Sequence, residues 1–410
     1  MISSILKIIY FTFCRVIFAG NMRVFVDYRP LSGTVVNSKK TGHFTRCLLG
    51  LEAENPVLEC QYMTDRSGMK RLQSILPPTR MITRQSLPGI LGWKRWNEQQ
   101  VPRALHKNKS ELLLMTGGIA SFHADLPQAV WIWREEGLGV TSSSKSYNRF
   151  FLRQLPATVD RARVLITESD WTREWLLEQF PTMADKIVVV PPAPDEAYRP
   201  FGWEEKEQVK RRFAGGKEYF MVSAGPEDAH HLLYVLKSFS RFKKRQQSNL
   251  QIVIAVMNHR KPGAWAAKLD TYKYKADLHV YRAPGDESFA AMVAGAYGLI
   301  QLSEDEQAWL NAFRAGTPVI KVAAERAGSP GEASVLYATP GDEEQLSEQL
   351  KRLYKDENLR NELLSKGLQT AAGYSRSQST EQLRGALLRA MEIPHHQARL
   401  IGKTGPATAI

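Results

Sequence analysis

The stretch whose reading decides the fold is Leu299 to Ile320, LIQLSEDEQAWLNAFRAGTPVI. Its last six residues, Ala315-Gly316-Thr317-Pro318-Val319-Ile320, read as a helix end stopped by glycine and then a β-branched run suited to a buried parallel strand. An apolar run, YGLIQLS, precedes the helix, so the stretch as a whole reads strand, helix, strand.

The same rhythm extends in both directions. Upstream, RVFVDY, ELLLMT, AVWIW, RVLITES and KIVVVPP are strand candidates, separated by helical stretches at Gly42 to Ala53, Tyr147 to Arg161 and Trp171 to Phe180. Pro191-Pro192-Ala193-Pro194 then reads as a linker. A second series starts with the charged helix Trp203 to Phe213 and continues through YFMVSAG, a helix from His230 to Lys243, LQIVIAVM, LHVYRA, YGLIQLS, PVIKVAA and SVLYATP. A Leu-rich helical region follows Asp342 as far as Gly373, and Ser375 to Ile393 makes another helix. The expected organisation is therefore α/β and doubly wound: an apolar extension at 1–21, one Rossmann-like domain at 22–195, a second at 196–374, a last helix at 375–393 and a polar tail at 394–410.

A chain of 410 residues, 43% hydrophobic and 24% charged, buries large cores and excludes disordered and fibrous classes. Cys14, Cys47 and Cys60 form neither a close pair nor a metal-type spacing, which points to a reducing, cytoplasmic setting and inert thiols. The net charge of +13 invites anionic partners. Runs such as Lys237 to Arg245 nevertheless sit at a helix end, where cations favour the dipole and stay solvated. No zinc-finger spacing, RNA-recognition motif or interleaving of aromatic and basic residues supports nucleic acid.

Residues 1–21, MISSILKIIYFTFCRVIFAGN, are apolar and aromatic, but Lys7 and Arg15 divide them into runs too short for a membrane span. They read as an interfacial anchor, a signal sequence, or leader upstream of a start at Met22; the ordinary first strand at Met22-Arg-Val-Phe-Val-Asp27 favours the last.

Five segments together resemble the glycosyl transferases group 1 family, of GT-B fold. They are Arg161 to Glu174, Lys186 to Pro192, Tyr219 to Leu233, the quoted stretch around Gly316, and Gly341-Asp342. The resemblance spans Met22 to about Glu392. It implies two Rossmann-like domains facing a central cleft, with the last helices crossing back to the first domain. It also implies a nucleotide-diphosphate sugar as donor, a glycan or lipid-linked acceptor, retention of anomeric configuration, and neither cofactor nor metal; because many members act on lipid-linked acceptors at a membrane face, it makes the cytoplasmic membrane surface a better specific partner for the +13 charge than nucleic acid.

The family's charged groups are eroded in this chain. It places paired glutamates before its Gly-x-Pro-Val-Ile; Asn311 stands at the second. Counting back from Gly316 puts Ser303 at the first, whereas aligning Ser303 with the family's serine puts Glu306 there. On the family pattern Glu306 touches donor hydroxyls, Asn311 the ribose, and Gly316 and Thr317 complete the donor loop. After Gly225 the family's adjacent arginine and lysine fall on Ala229 and His230. Each lost charge-assisted hydrogen bond costs about 1.5–3 kcal/mol, although backbone N–H groups at a helix start still attract phosphate. In the first domain Lys40 replaces the first glycine of a Gly-rich turn, and Gly42 remains. Trp133 matches a histidine facing the reaction centre and Arg134 an aspartate, with Glu135 or Glu136 as the acidic substitute. Trp133 cannot exchange protons; it either stacks on a sugar face or fills the core. His230 either carries charge to a phosphate or caps its helix. Two functions follow as expectations: an active glycosyltransferase, or an inactive relative that binds a glycan, a nucleotide or a true glycosyltransferase.

Overall fold

The computed structural model describes residues 22–392 apart from 30–44, 49, 52–57, 74–75, 88, 134–144, 225–228, 257–268, 270, 303–305 and 324–330. The described chain falls into two compact units: one ends at Pro191 and resumes at Arg376, and the other is Pro192–Ser375. The sequence expectation put the boundaries at 195/196 and 374/375.

The first unit is built on a seven-stranded sheet in the order β3-β2-β1-β4-β5-β6-β7, every pairing parallel. These strands are β1 (Met22–Asp27), β2 (Leu58–Thr64), β3 (Met81–Thr83), β4 (Leu112–Met115), β5 (Gln128–Ile132), β6 (Val164–Thr167) and β7 (Ile187–Val189). Both faces are covered, which is why the central strands are continuous apolar runs. Val24, Val26, Leu112 and Leu114 point into one core, and Phe25, Leu113 and Met115 into the other.

Helix Arg376–Glu392 supplies Leu383, Ala386, Leu387 and Ala390 to the first of those cores. It is fastened at both ends. Ser379 Oγ donates to the Pro191 carbonyl at 2.7 Å, and the Arg163 guanidinium donates to the carbonyls of Ala390 at 3.1 Å and Met391 at 3.3 Å, capping the helix C-terminus.

After the edge strand β3 the chain is helical from residue 89 to 105, as an α-turn Gly89–Arg95, a π-turn Trp96–Gln100 and an α-turn Val101–Leu105. The inward face carries Gly92, Trp93, Trp96 and Val101. A Cβ on Gly92 would stand 1.9 Å from the Leu87 carbonyl oxygen, so glycine is what lets the helix start lie on that backbone.

The second unit repeats the plan with six parallel strands in the order β10-β9-β8-β11-β12-β13. They are β8 (Tyr219–Ala224), β9 (Gln251–Val256), β10 (Leu278–Arg282), β11 (Gly298–Gln301), β12 (Val319–Val322) and β13 (Val335–Ala338). Helices Ala229–Gln246 and Glu343–Lys355 pack over one face, and Trp203–Ala214, Asp286–Ala294 and Glu306–Arg314 over the other.

Two features depart from the sequence reading. Strands β2 and β3 were not anticipated between Ala53 and Glu111. The region after Asp342 is two helices, Glu343–Lys355 and Glu357–Ala372, because the Asp356 side chain accepts from Leu359 N–H at 2.9 Å and starts a new helix.

Candidate functional site

In both sheets the strand order reverses once, between β1 and β4 in the first unit and between β8 and β11 in the second. Ligands of open α/β sheets bind outside the carboxyl ends of the strands at such switch points. In the second unit, helices Ala229–Gln246 and Glu306–Arg314 begin just beyond the two strands flanking the reversal. Glu306 is the first residue of its helix and half-buried, and His230 the second residue of the other. The fold thus brings both candidates to helix starts on the same edge of one sheet, where backbone N–H groups and the positive end of each dipole favour an anion.

Helix Glu306–Arg314 is fixed at its far end by a Schellman motif. Thr317 N–H donates to the Ala312 carbonyl at 2.9 Å and Gly316 N–H to that of Phe313 at 3.0 Å. Gly316 has φ +68°, a left-handed conformation that a side chain would strain. Thr317 is buried, and its Oγ1 donates to the Val293 carbonyl at 2.7 Å, tying the turn to the neighbouring helix. Trp309 and Phe313 anchor the inner face, their rings 5.2 Å apart. Gly331 and Gly367 come within 3.2 Å and 2.9 Å of these rings, measured from where their Cβ atoms would stand.

Asn311 lies on this helix and its Oδ1 accepts the Asp195 N–H at 2.8 Å, so one of its two polar atoms holds the segment that follows the linker. Asn311→Ala is expected to lower stability by about 1 kcal/mol by stripping a partly buried N–H of its acceptor, while Asn311→Asp keeps the acceptor. Urea unfolding of the two variants decides the point, and equal midpoints for both and for the parent would refute it.

Trp133 belongs to the first unit, just past β5. It is buried, stacks on Trp131 with ring centroids 5.1 Å apart and planes 13° apart, and donates from Nε1 to the Thr116 carbonyl at 2.9 Å. Lys40, Gly42, Glu135, Gly225 and Ser303 lie outside the described residues.

The first unit's switch point holds residues that the sequence did not single out. Asp27 ends β1 and is 2% exposed. Trp96 donates from Nε1 to Asp27 Oδ1 at 2.8 Å, and Thr116, just past β4, donates from Oγ1 to the Asp27 carbonyl at 2.6 Å. Burial pushes the Asp27 carboxyl up to about 6, with Asp65 adding to the rise and Trp96 and Arg29 opposing it. Beside Thr116, Gly117 is buried, and among the described residues, its chain neighbours aside, no heavy atom stands within 4 Å of the position its Cβ would take. A buried acid, an indole and a buried glycine therefore meet at the β1/β4 reversal. Only the Thr116-Gly117-Gly118 turn after an apolar run signals this in the sequence.

Cys47 and Cys60 are buried and not disulfide-bonded, and burial pushes the Cys47 thiol up to about 12. Among the described residues no helix is long and apolar enough to cross a membrane.

No family model matches the chain, and no curated protein matches it by sequence. Solved structures do. A glycosyltransferase from Rickettsia africae ESF-5 superposes with TM-score 0.68 at 11% identity, covering 95% of this chain and 100% of its own. The Anabaena protein Alr3699/HepE, in complex with UDP and glucose, gives TM-score 0.65 at 12% identity over 89% of this chain and 99% of its own. A UDP-N-acetylglucosamine 2-epimerase gives 0.59 at 12% identity over 89% and 95%. Identities at this level carry the fold and nothing finer, and the two parallel Rossmann-like sheets with a returning last helix make that fold GT-B.

Proposed function

We propose that the chain binds a nucleotide-diphosphate sugar at the β8/β11 edge of its second unit and transfers the sugar to a glycan or lipid-linked acceptor. The observation that supports this most directly is the placement of the Glu306 and His230 helix starts on the two strands that flank the reversal. In this reading the helix N–H groups and His230 take the diphosphate, Glu306 accepts hydroxyl groups of the donor, and leaving-group charge is stabilised without a metal. Structural neighbours of differing chemistry share a uridine diphosphate theme: one is in complex with UDP and glucose, another is named for UDP-N-acetylglucosamine.

A thermal-shift screen of UDP, GDP, ADP and their sugar conjugates tests the reading. A ligand at about one hundred times its dissociation constant adds roughly 2.7 kcal/mol of stability, and Glu306→Gln is expected to weaken a sugar conjugate more than the free diphosphate. No shift with any nucleotide would sink donor binding. One observation favours the alternative of an inactive partner subunit: the position of the second family glutamate is a neutral asparagine whose oxygen holds Asp195. That reading expects Glu306→Gln and His230→Ala to change nothing while capture of a partner glycosyltransferase persists.

A further inference from the structure

Between residues 66 and 109 the chain carries ten lysines and arginines against a single acidic residue, Glu98. This segment holds the edge strand β3 and the helical run 89–105 of the first unit. Within it stand two of the few large apolar side chains that the described surface leaves exposed, Leu91 at 81% and Leu87 at 41%.

Their exposure follows from how the helix start is anchored. Gly92 rests on the Leu87 backbone, Trp93 is buried edge-on against Phe150 with ring centroids 5.1 Å apart, and Arg29 donates to the Leu87 carbonyl at 2.9 Å. With residues 92, 93 and 96 committed inward, helical spacing turns Leu91, Lys94 and Arg95 outward together, since positions three and four apart share a face. Arg103 and Lys107 continue the exposed basic side beyond the π-turn. The segment is thus held rigidly by its inner face and presents leucine beside cations on its outer one.

We infer that this surface docks the first unit on an anionic lipid bilayer, Leu87 and Leu91 entering the headgroup boundary and Lys94, Arg95, Arg103 and Lys107 meeting lipid phosphates. Charge complementarity argues for an anionic partner. The leucines argue for lipid over a nucleic acid, because a polyanion in water offers nothing to cover a side chain 81% exposed, whereas an interfacial helix gains from burying it. Juxtaposed cations draw such a surface to an anionic leaflet. The inference stands apart from the donor-site proposal and uses a readout that needs no nucleotide.

The test is flotation of the full chain with vesicles of phosphatidylcholine alone and of phosphatidylcholine containing 30% phosphatidylglycerol. Binding to the anionic vesicles is expected, falling with salt, and absent on the neutral ones. Lys94→Glu with Arg95→Glu is expected to lower partitioning at least about tenfold, and Leu91→Ser to lower it several-fold with an unchanged melting temperature, since the side chain is exposed. Failure of the unaltered chain to float with anionic vesicles would overturn the inference. So would undiminished binding of both variants, which would move the membrane contact elsewhere in the chain, or loss of heparin binding in the charge variant while vesicle binding stays intact, which would make the surface a polyanion site.

Discussion

Replacing Asp27 by asparagine is expected to gain about 3 kcal/mol relative to the unaltered protein between pH 3 and pH 7.5. The sign follows from burial. The Asp27 carboxyl sits at about 6 in the folded chain against an ordinary value of 3.8, so the folded state resists its ionisation. Below about pH 3 the group is protonated whether the chain is folded or not, and the advantage of the neutral form is fully present. As pH rises through 6 the folded chain must ionise a buried acid, and that stability is lost; about 1.4 kcal/mol per pH step of displacement gives the figure. Asparagine keeps an oxygen for the Trp96 indole and has no charge to bury. Whatever fixed cost it brings, through the Arg29 N–H that also donates to the carboxylate, does not vary over this window. Urea unfolding of both proteins across the range measures the difference, and two parallel curves would refute it. Trp96→Phe is expected to raise the Asp27 value further by removing its indole donor, visible as a titration midpoint at higher pH for the carboxyl carbon.

Phe313→Ala is expected to cost about 3–5 kcal/mol. The ring is fully buried among Trp309, Gly331 and Gly367, and the two glycines have no side chains of their own to move into the space. Because the ring lies one turn from the Gly316 cap, the same cavity loosens the helix that presents Glu306. Nucleotide protection in a thermal-shift assay should therefore weaken along with stability if the donor-site proposal holds. A loss under 1 kcal/mol would show that the surrounding helices close over the gap.

Much of the architecture was legible because parallel strands buried on both faces are written as unbroken apolar runs: LLLM, VLIT, QIVIAV and GLIQ need no context. Strand β2 escaped because LECQYMT alternates. Glu59 and Gln61 stay half-buried, and Glu59 pairs with Arg23 on the neighbouring strand at 3.2 Å. The site was legible only where it is local. Gly316 and Thr317 announce a helix end by their order in the chain. The Trp96 bond to Asp27 spans 69 positions, and the Asn311 bond to Asp195 spans 116; no periodicity encodes either. Asn311 could be aligned with a ribose-binding carboxylate from its neighbours in sequence, but its engagement with Asp195 becomes visible only once the chain has folded back.

The return of helix Arg376–Glu392 to the first unit also sets an order of events during synthesis. The surface that receives Leu383, Leu387 and Ala390 is translated first, and its cover emerges only after the whole of Pro192–Ser375 has been made. At about 5–20 residues per second the wait is roughly 10–40 s. Throughout it the second unit has all its strands and can finish, while the first must hold an uncovered apolar face on the ribosome. The unit begun first is completed last.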